Sequence, residues 1–343
     1  MAVDMLLWTL FMQDIRKGKN MTKKKILGSI GFLLILAALL LGSSFLLKSD
    51  KDIDNVVAFE RKQNDLKKEK ENSIDVVFFG DSESYSAFIP LKMWNDEGFT
   101  SYICGTSLQR LCDSYALIQE VYSRQNPGVV VIETNCLFRT ASSQKEESSN
   151  VDRLYAKIFP ILKYHTRWKA YLDVEGGTGK DHEKERKMKG FKYRTGIEPY
   201  MKGPWMHKTS ESEKLGNQVE EYLCKIKDYV TSKGGELLLV SVPSPTNWST
   251  QKHNATSELA DRLGLDFIDM NHDADEIGID WNVDTKDGGN HLNFEGAFKL
   301  TEYFEKILIS KYNLPNHKND SYYSDWNEAL KNSKINYDKN KKG

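Results

Sequence analysis

Four consecutive apolar residues, Val76-Val77-Phe78-Phe79, end abruptly at Gly80-Asp81-Ser82. A short β-branched and aromatic run with no polar alternation is the pattern of a strand buried on both faces of a parallel sheet. The small-residue turn at its C-terminal end falls where open α/β sheets place their working groups. Gly80 lets the chain turn tightly, which sets Ser82 near the first turn of the next helix with its hydroxyl at the sheet edge. From this stretch alone Ser82 reads equally as a helix cap, because Asp and Ser are preferred caps.

Apolar strand-like runs recur at residues 101–104, 128–133, 236–242 and 266–270. Helical patterns lie between and after them, at 108–124, 211–232, 255–263 and 294–312. This alternation predicts a three-layer α/β/α, flavodoxin-like domain over residues 74–312 with a parallel central sheet. Residues 139–210 stand outside it as a polar, aromatic-bearing insertion (Tyr155, Tyr164, Trp168, Tyr171, Tyr193, Tyr200, Trp205). An excursion this long inside a compact domain is functional or a small subdomain. Residues 313–343 read as a polar C-terminal tail.

The N-terminal part points to a membrane. Residues 26–47 run 22 positions without a charge, and about 20 suffice to cross the hydrocarbon core. Arg16, Lys17, Lys19, Lys23, Lys24 and Lys25 precede this run, whereas Lys and Asp are mixed after it. The positive-inside rule therefore places residues 1–25 in the cytoplasm and everything after Lys48 outside. The run exceeds the apolar region of a cleaved signal, which favours an uncleaved anchor. Met21 opens M-T-K-K-K, so residues 1–20 read as upstream of the true start. Residues 48–73, dense in Lys, Asp, Glu and Asn, read as a solvated stalk.

The formal net charge of -1 offers no footprint for nucleic acid. Cys104, Cys112, Cys136 and Cys224 form neither a C-x-x-C pair nor a metal-ligand spacing, and read as buried free thiols.

Near the C-terminus, Asp287-Gly288-Gly289-Asn290-His291 sits just before the last helix. A loop histidine within reach of an acid, opposite a strand-end serine, is a nucleophile–base arrangement. Ser82 would be the nucleophile, His291 the base and Asp287 the group that holds the imidazole. The plainer reading of His291 is a loop-bracing hydrogen bond to the backbone.

With these blocks in view the chain resembles the SGNH (GDSL-like) hydrolase superfamily. Gly80-Asp81-Ser82 carries the nucleophile block and Asp287 to His291 the base block. Cys104-Gly105-Thr106-Ser107 resembles the second block, and Ile132-Glu133-Thr134-Asn135 ends the third strand where the family has its asparagine. The resemblance implies that Gly105 and Asn135 donate to the oxyanion. It is strongest to the membrane-anchored branch with the teichoic-acid D-alanylation protein DltD and the alginate O-acetylation proteins, through Tyr164-His165-Thr166-Arg167-Trp168 and the 287–297 run. That implies a serine acyl-esterase or O-acyltransferase working outside the cell. Its substrate would be an envelope polysaccharide or teichoic-acid-type polymer, its partner a membrane-bound O-acyltransferase (MBOAT). It implies neither a metal nor an organic cofactor.

Three departures bear on this. The family sets its acid three residues before the histidine, where Gly288 stands; Asp287 is one residue further and Asp284 the next candidate, with a Ser–His dyad as the third possibility. Glu83 follows the serine where Leu or His is more usual, and Asn135 sits in T-N-C. They leave open an alternative: a catalytically degenerate, membrane-tethered binding or scaffold protein. The insertion aromatics Trp168 and Trp205 either stack on sugar rings or form that segment's own core. Arg167 and the lysines from Lys180 to Lys192 either face an anionic polymer or form a solvated face.

Overall fold

The computed structural model describes helical residues at 28–32, 34–36, 38–39 and 42, then residues 58–140 and 178–337. Residues 1–52 with 152–168 form one compact unit, and residues 53–151 with 169–343 form a second. In the first unit Ile30, Phe32, Leu34, Ile35 and Leu39 are exposed on helical residues. No helix of the described residues is long and apolar enough to cross a membrane. The rest of the predicted anchor, the start of the stalk, Arg167 and Trp168 lie outside the described residues.

The second unit is built on β1 (Val76–Phe79), β2 (Ser101–Ile103), β3 (Val129–Glu133), β4 (Glu236–Ser241) and β5 (Asp266–Asp269). They form one parallel sheet in the order β2-β1-β3-β4-β5. The expected parallel α/β architecture is present, and its strand order is the flavodoxin-like one.

Alternation along each buried strand sorts side chains into two cores. Val76, Phe78, Val129, Val131, Leu238 and Val240 join one, whereas Val77, Phe79, Val130, Ile132, Leu237 and Leu239 join the other. On the first face lie α2 (Ser82–Ala87), α3 (Pro90–Asp96) and α9 (Phe294–Lys311); on the second lie α1 (Ala58–Leu66), α4 (Leu111–Val121), α6 (Val219–Ser232) and α7 (Thr250–Leu263). Phe78 stacks on Phe88 at 4.5 Å between ring centres. With no polar face on β1, exposing either layer would put several fully buried aromatic and aliphatic groups into water, each worth about 1.5–3 kcal/mol.

Local chemistry moved two helix starts. α7 begins at Thr250, five residues before the predicted start, because Ser249 caps it by accepting the Lys252 backbone N–H. α6 begins only at Val219, since Gly216 interrupts the pattern predicted from 211.

The described part of the insertion contributes to the first core as well as making contacts of its own, such as Tyr200 edge-to-face with Trp205. α5 (Thr178–Lys187) leads into a strap in which Met188 and Phe191 enter the first core. The Lys189 carbonyl accepts the Ile103 N–H at 2.9 Å along edge strand β2. Tyr193 packs on Phe294, and Tyr200 and Trp205 meet Trp281 edge-to-face. Lys189 is paired with Glu69 at 2.6 Å and Lys187 with Glu183 at 2.8 Å.

Beyond α8 (Ala274–Ile277) and α9, the chain read as a polar tail folds back. α10 (Ser324–Ser333) buries Trp326 completely against Trp94. All four cysteines are free; Cys104, Cys112 and Cys136 are buried and Cys224 is partly exposed.

Candidate active site

At the C-terminal edge of the sheet, Gly80 turns the chain out of β1 with φ +139. A Cβ there would stand 2.7 Å from Glu133 Cβ, so only glycine fits. Asp81 caps α2: its Oδ1 accepts the Glu83 N–H at 3.0 Å, leaving Ser82 as the first helical residue. Asp81 is fully buried, and its Oδ2 accepts Asn135 Nδ2 at 3.0 Å and pairs with Arg139.

From the other end of the chain, the 285–292 loop is closed by the Thr285–Leu292 bridge and by the Thr285 hydroxyl, which accepts the Gly289 N–H at 2.8 Å. His291 Nε2 comes to 2.8 Å from Ser82 Oγ, and His291 Nδ1 to 2.7 Å from Asp287 Oδ2. Those partners define the tautomer: Nδ1–H donates to the carboxylate, and Nε2 is free to accept the serine proton. Burial alone would raise the Asp287 pKa. Hydrogen bonds from His291 and Lys286 and the His291 charge outweigh it, bringing the carboxyl down to about 2. Asp284 is a different kind of residue: it is buried, accepts Lys299 Nζ at 2.7 Å and braces the start of the loop.

Gly105 packs against the nucleophile turn. A Cβ on it would lie 2.0 Å from Ser84 Oγ and 3.2 Å from the Gly80 carbonyl. Among the described residues, neither the Ser82 nor the Gly105 backbone N–H has a hydrogen-bond partner. Asn135 is nearly buried; one of its amide hydrogens goes to Asp81, its Oδ1 accepts Lys252 Nζ at 3.2 Å, and its second amide hydrogen remains available. Burial holds the neighbouring Glu133 carboxyl well above the usual range, and the charges of Asp81 and Glu83 add to this.

Several residues around this centre carry no motif. Tyr85 lies on α2 within hydrogen-bond reach of Ser107 and Ser82, and burial lifts its hydroxyl to about 12. Glu83, Ser244, Asn247 and Lys252 form a polar network behind the base loop. The one available signal was position, since Ser244 and Asn247 follow the C-terminal end of β4 at the working edge of the sheet.

No family model and no curated protein matches this sequence. Solved structures that resemble it include an acetyl xylan esterase, 15% identical, where 70% of this chain covers 100% of that one at a TM-score of 0.36. A GDSL-like lipase from Bacteroides thetaiotaomicron is 13% identical, with 74% and 98% of the two chains covered at a TM-score of 0.37. A protein described as lipolytic and of the G-D-S-L family, from Desulfitobacterium hafniense, is 14% identical, with 68% and 99% covered at a TM-score of 0.37. Likeness at this level bears on fold at most, and the chemistry rests on the residues themselves.

Proposed function

We propose that this protein is a serine acyl-esterase or O-acyltransferase. The observation that carries the reading is the continuous hydrogen-bonded chain Ser82–His291–Asp287, assembled at the sheet edge from two ends of the domain. In the reaction, Ser82 Oγ attacks the carbonyl carbon of a bound acyl ester while its proton passes to His291 Nε2. Asp287 stabilises the resulting imidazolium through Nδ1–H. The negative oxygen is met by the Ser82 and Gly105 N–H groups and by the second Asn135 amide hydrogen; one such donor is worth about 3–4 kcal/mol. Collapse expels the alcohol, which takes the proton from His291, and leaves an acyl-serine. A water molecule or an acceptor hydroxyl, deprotonated by His291, then releases the acyl group and regenerates Ser82.

The scaffold alternative rested on an acid out of register and on the unusual T-N-C block, and the 2.7 Å contact between Asp287 and His291 speaks against the first of these grounds. The proposed setting is extracytoplasmic, on an envelope glycan or teichoic-acid-type polymer beside an MBOAT partner. It is supported by the uncharged 26–47 run with its basic flank and by the partial sequence resemblance.

The test is turnover of a small acetyl ester by the detergent-solubilised full chain. Wild type should react and be labelled stoichiometrically at Ser82 by a fluorophosphonate, whereas Ser82→Ala should do neither. Undiminished turnover in Ser82→Ala would refute the assignment. In spheroplasts, external protease should remove the domain after Lys48 and leave the 26–47 segment protected; a mature protein starting near Ser44 would contradict the anchor.

A further inference from the structure

One buried carboxyl beside the triad is not used by the chemistry above. Glu83 directly follows the nucleophile and is 2% exposed. Its Oε1 lies 3.0 Å from Ser244 Oγ and is in contact with Asn247 Nδ2. Both partners continue to the residue before the base. Ser244 Oγ is 2.7 Å from the Asn290 carbonyl oxygen, and Asn247 Nδ2 meets Asn290 Oδ1. The bridging segment is itself anchored. The Ser244 N–H donates to Asn271 Oδ1 at 3.0 Å, the Thr246 N–H to the Gly289 carbonyl at 3.2 Å, and Lys252 Nζ to the Asn247 carbonyl at 2.5 Å.

Counting protons decides how this network works. Ser244 has one hydroxyl hydrogen and two close acceptors, Glu83 Oε1 at 3.0 Å and the Asn290 carbonyl at 2.7 Å, with the Gly289 carbonyl further off at 3.5 Å. If Glu83 is ionised, Ser244 can satisfy only one of them. If Glu83 is neutral, its O–H donates to Ser244 Oγ and Ser244 O–H donates to Asn290, so both are satisfied. The two Asn247 amide hydrogens then divide between Glu83 and Asn290. The surroundings keep the neutral form populated up to about neutral pH, far above the range of an ordinary carboxyl. Burial raises the Glu83 carboxyl, His291 opposes this, Asp81 adds to it, and Asn247 and Ser244 moderate it, with a result of about 7. The other charged groups packed around it are buried Glu133 at the end of β3, Arg139 on Asp81, and Lys252 on Asn135.

We propose that Glu83 is a positioning residue for the base: as a neutral carboxyl it ties the loop bearing His291 to the helix bearing Ser82, through Ser244 and Asn247. The proposal rests on the triad reading and adds regulation of the same site. Ionisation of Glu83 draws the Ser244 hydroxyl away from Asn290 and releases part of the hold on the base loop. Activity therefore falls as Glu83 ionises, which gives the pH profile a falling alkaline limb.

The experiment compares full-chain wild type, Glu83→Gln, Glu83→Ala and Ser244→Ala in detergent. It measures the pH profile of kcat and KM on the acetyl ester, together with amide hydrogen exchange over residues 286–292. Gln carries no titrating proton and, with Nε2 at the Oε1 position, still donates to Ser244, although that nitrogen cannot accept from Asn247. Glu83→Gln should keep kcat within about threefold and lose the falling alkaline limb. Glu83→Ala and Ser244→Ala should lower kcat roughly 10- to 100-fold with KM nearly unchanged, because a small displacement of a catalytic group has that effect. Both should also speed exchange in the base loop. Unchanged kcat and exchange in the two alanine variants, or a Glu83→Gln profile that keeps its alkaline limb, would overturn the proposal. Should Glu83→Ala not fold, Ser244→Ala decides. If wild type turns over no ester, the functional reading fails on its own, and loop exchange still decides whether Glu83 holds the base loop.

Discussion

Asp287 holds His291 twice. Its Oδ1 accepts the His291 backbone N–H at 2.7 Å, and its Oδ2 accepts the ring Nδ1–H at 2.7 Å. Gly288 and Gly289, at φ +66 and +86, let the chain double back tightly enough for this. The acid thereby sets both the position of the loop and the tautomer of the ring.

Asp287→Asn should therefore fold normally and lower kcat by roughly ten-thousandfold, the scale seen when a triad carboxylate becomes an amide. Asp284→Asn should do the reverse. It removes the buried charge that partly exposed Lys299 pairs with and should cost about 1–3 kcal/mol of stability with little change in kcat. Steady-state kinetics and urea melts on the two variants separate these roles; a mild Asp287→Asn with a severe loss of kcat in Asp284→Asn would make Asp284 the acid, and mild effects in both with an inactive His291→Ala would restore the dyad reading.

Gly105→Ala should inactivate without unfolding the sheet. The added Cβ would stand 2.0 Å from Ser84 Oγ, so the second block and the nucleophile turn must move apart. Fluorophosphonate labelling at Ser82 should fall by at least about 100-fold while far-UV circular dichroism stays as in wild type. Normal labelling would show that Gly105 does not shape the oxyanion site.

Glu305 predicts a pH slope in stability. Burial raises its carboxyl to about 9; Lys92 opposes this, and the Asp96 charge and hydrogen bond add to it. The folded pKa lies above the unfolded one, so the folded state holds the extra proton between about 4.5 and 9. The contribution is complete below about pH 4.5 and is lost progressively toward pH 9. Glu305→Gln can still donate to Asp96 but carries no titrating proton. Its thermal midpoint should fall less than wild type's between pH 5 and 9, which scanning calorimetry across that range will read; parallel curves would exclude Glu305 as the source.

Trp326→Ala should destabilise the second unit by about 3–5 kcal/mol, as for other fully buried tryptophans. Trp326 is 0% exposed and packs 5.7 Å from Trp94 between ring centres, with Lys189 Nζ over its ring at 4.4 Å. Chemical denaturation measures the loss; an unchanged midpoint would mean that the C-terminal helix does not belong to the cooperative unit.

Much of this molecule is local and was therefore legible in the chain. Val76 to Phe79 specify a doubly buried strand because no residue among them can face water, and Gly80 specifies the turn because no Cβ fits there. Ser82, Gly105, Asn135 and His291 could be named because each ends a strand or opens a helix in a recognisable short block. The acid could not be decided along the chain. Spacing alone left Asp287 and Asp284 open, and only the positive φ angles of two glycines bring the nearer one under the ring. Glu83 showed in the chain only as an unusual neighbour of the serine, and Ser244 and Asn247 were invisible, for a related reason. Their partners lie 161 and 164 positions away, and a carboxyl acquires a proton near neutrality only when folding removes it from water. The tail around Trp326 misled because a few aromatic side chains, Tyr322, Tyr323 and Trp326, among polar neighbours show no periodicity; the burial of Trp326 depends on packing against the distant Trp94. Backbone conformation and short motifs follow from neighbouring residues, whereas protonation, pairing and burial of isolated side chains depend on what the tertiary fold packs around them.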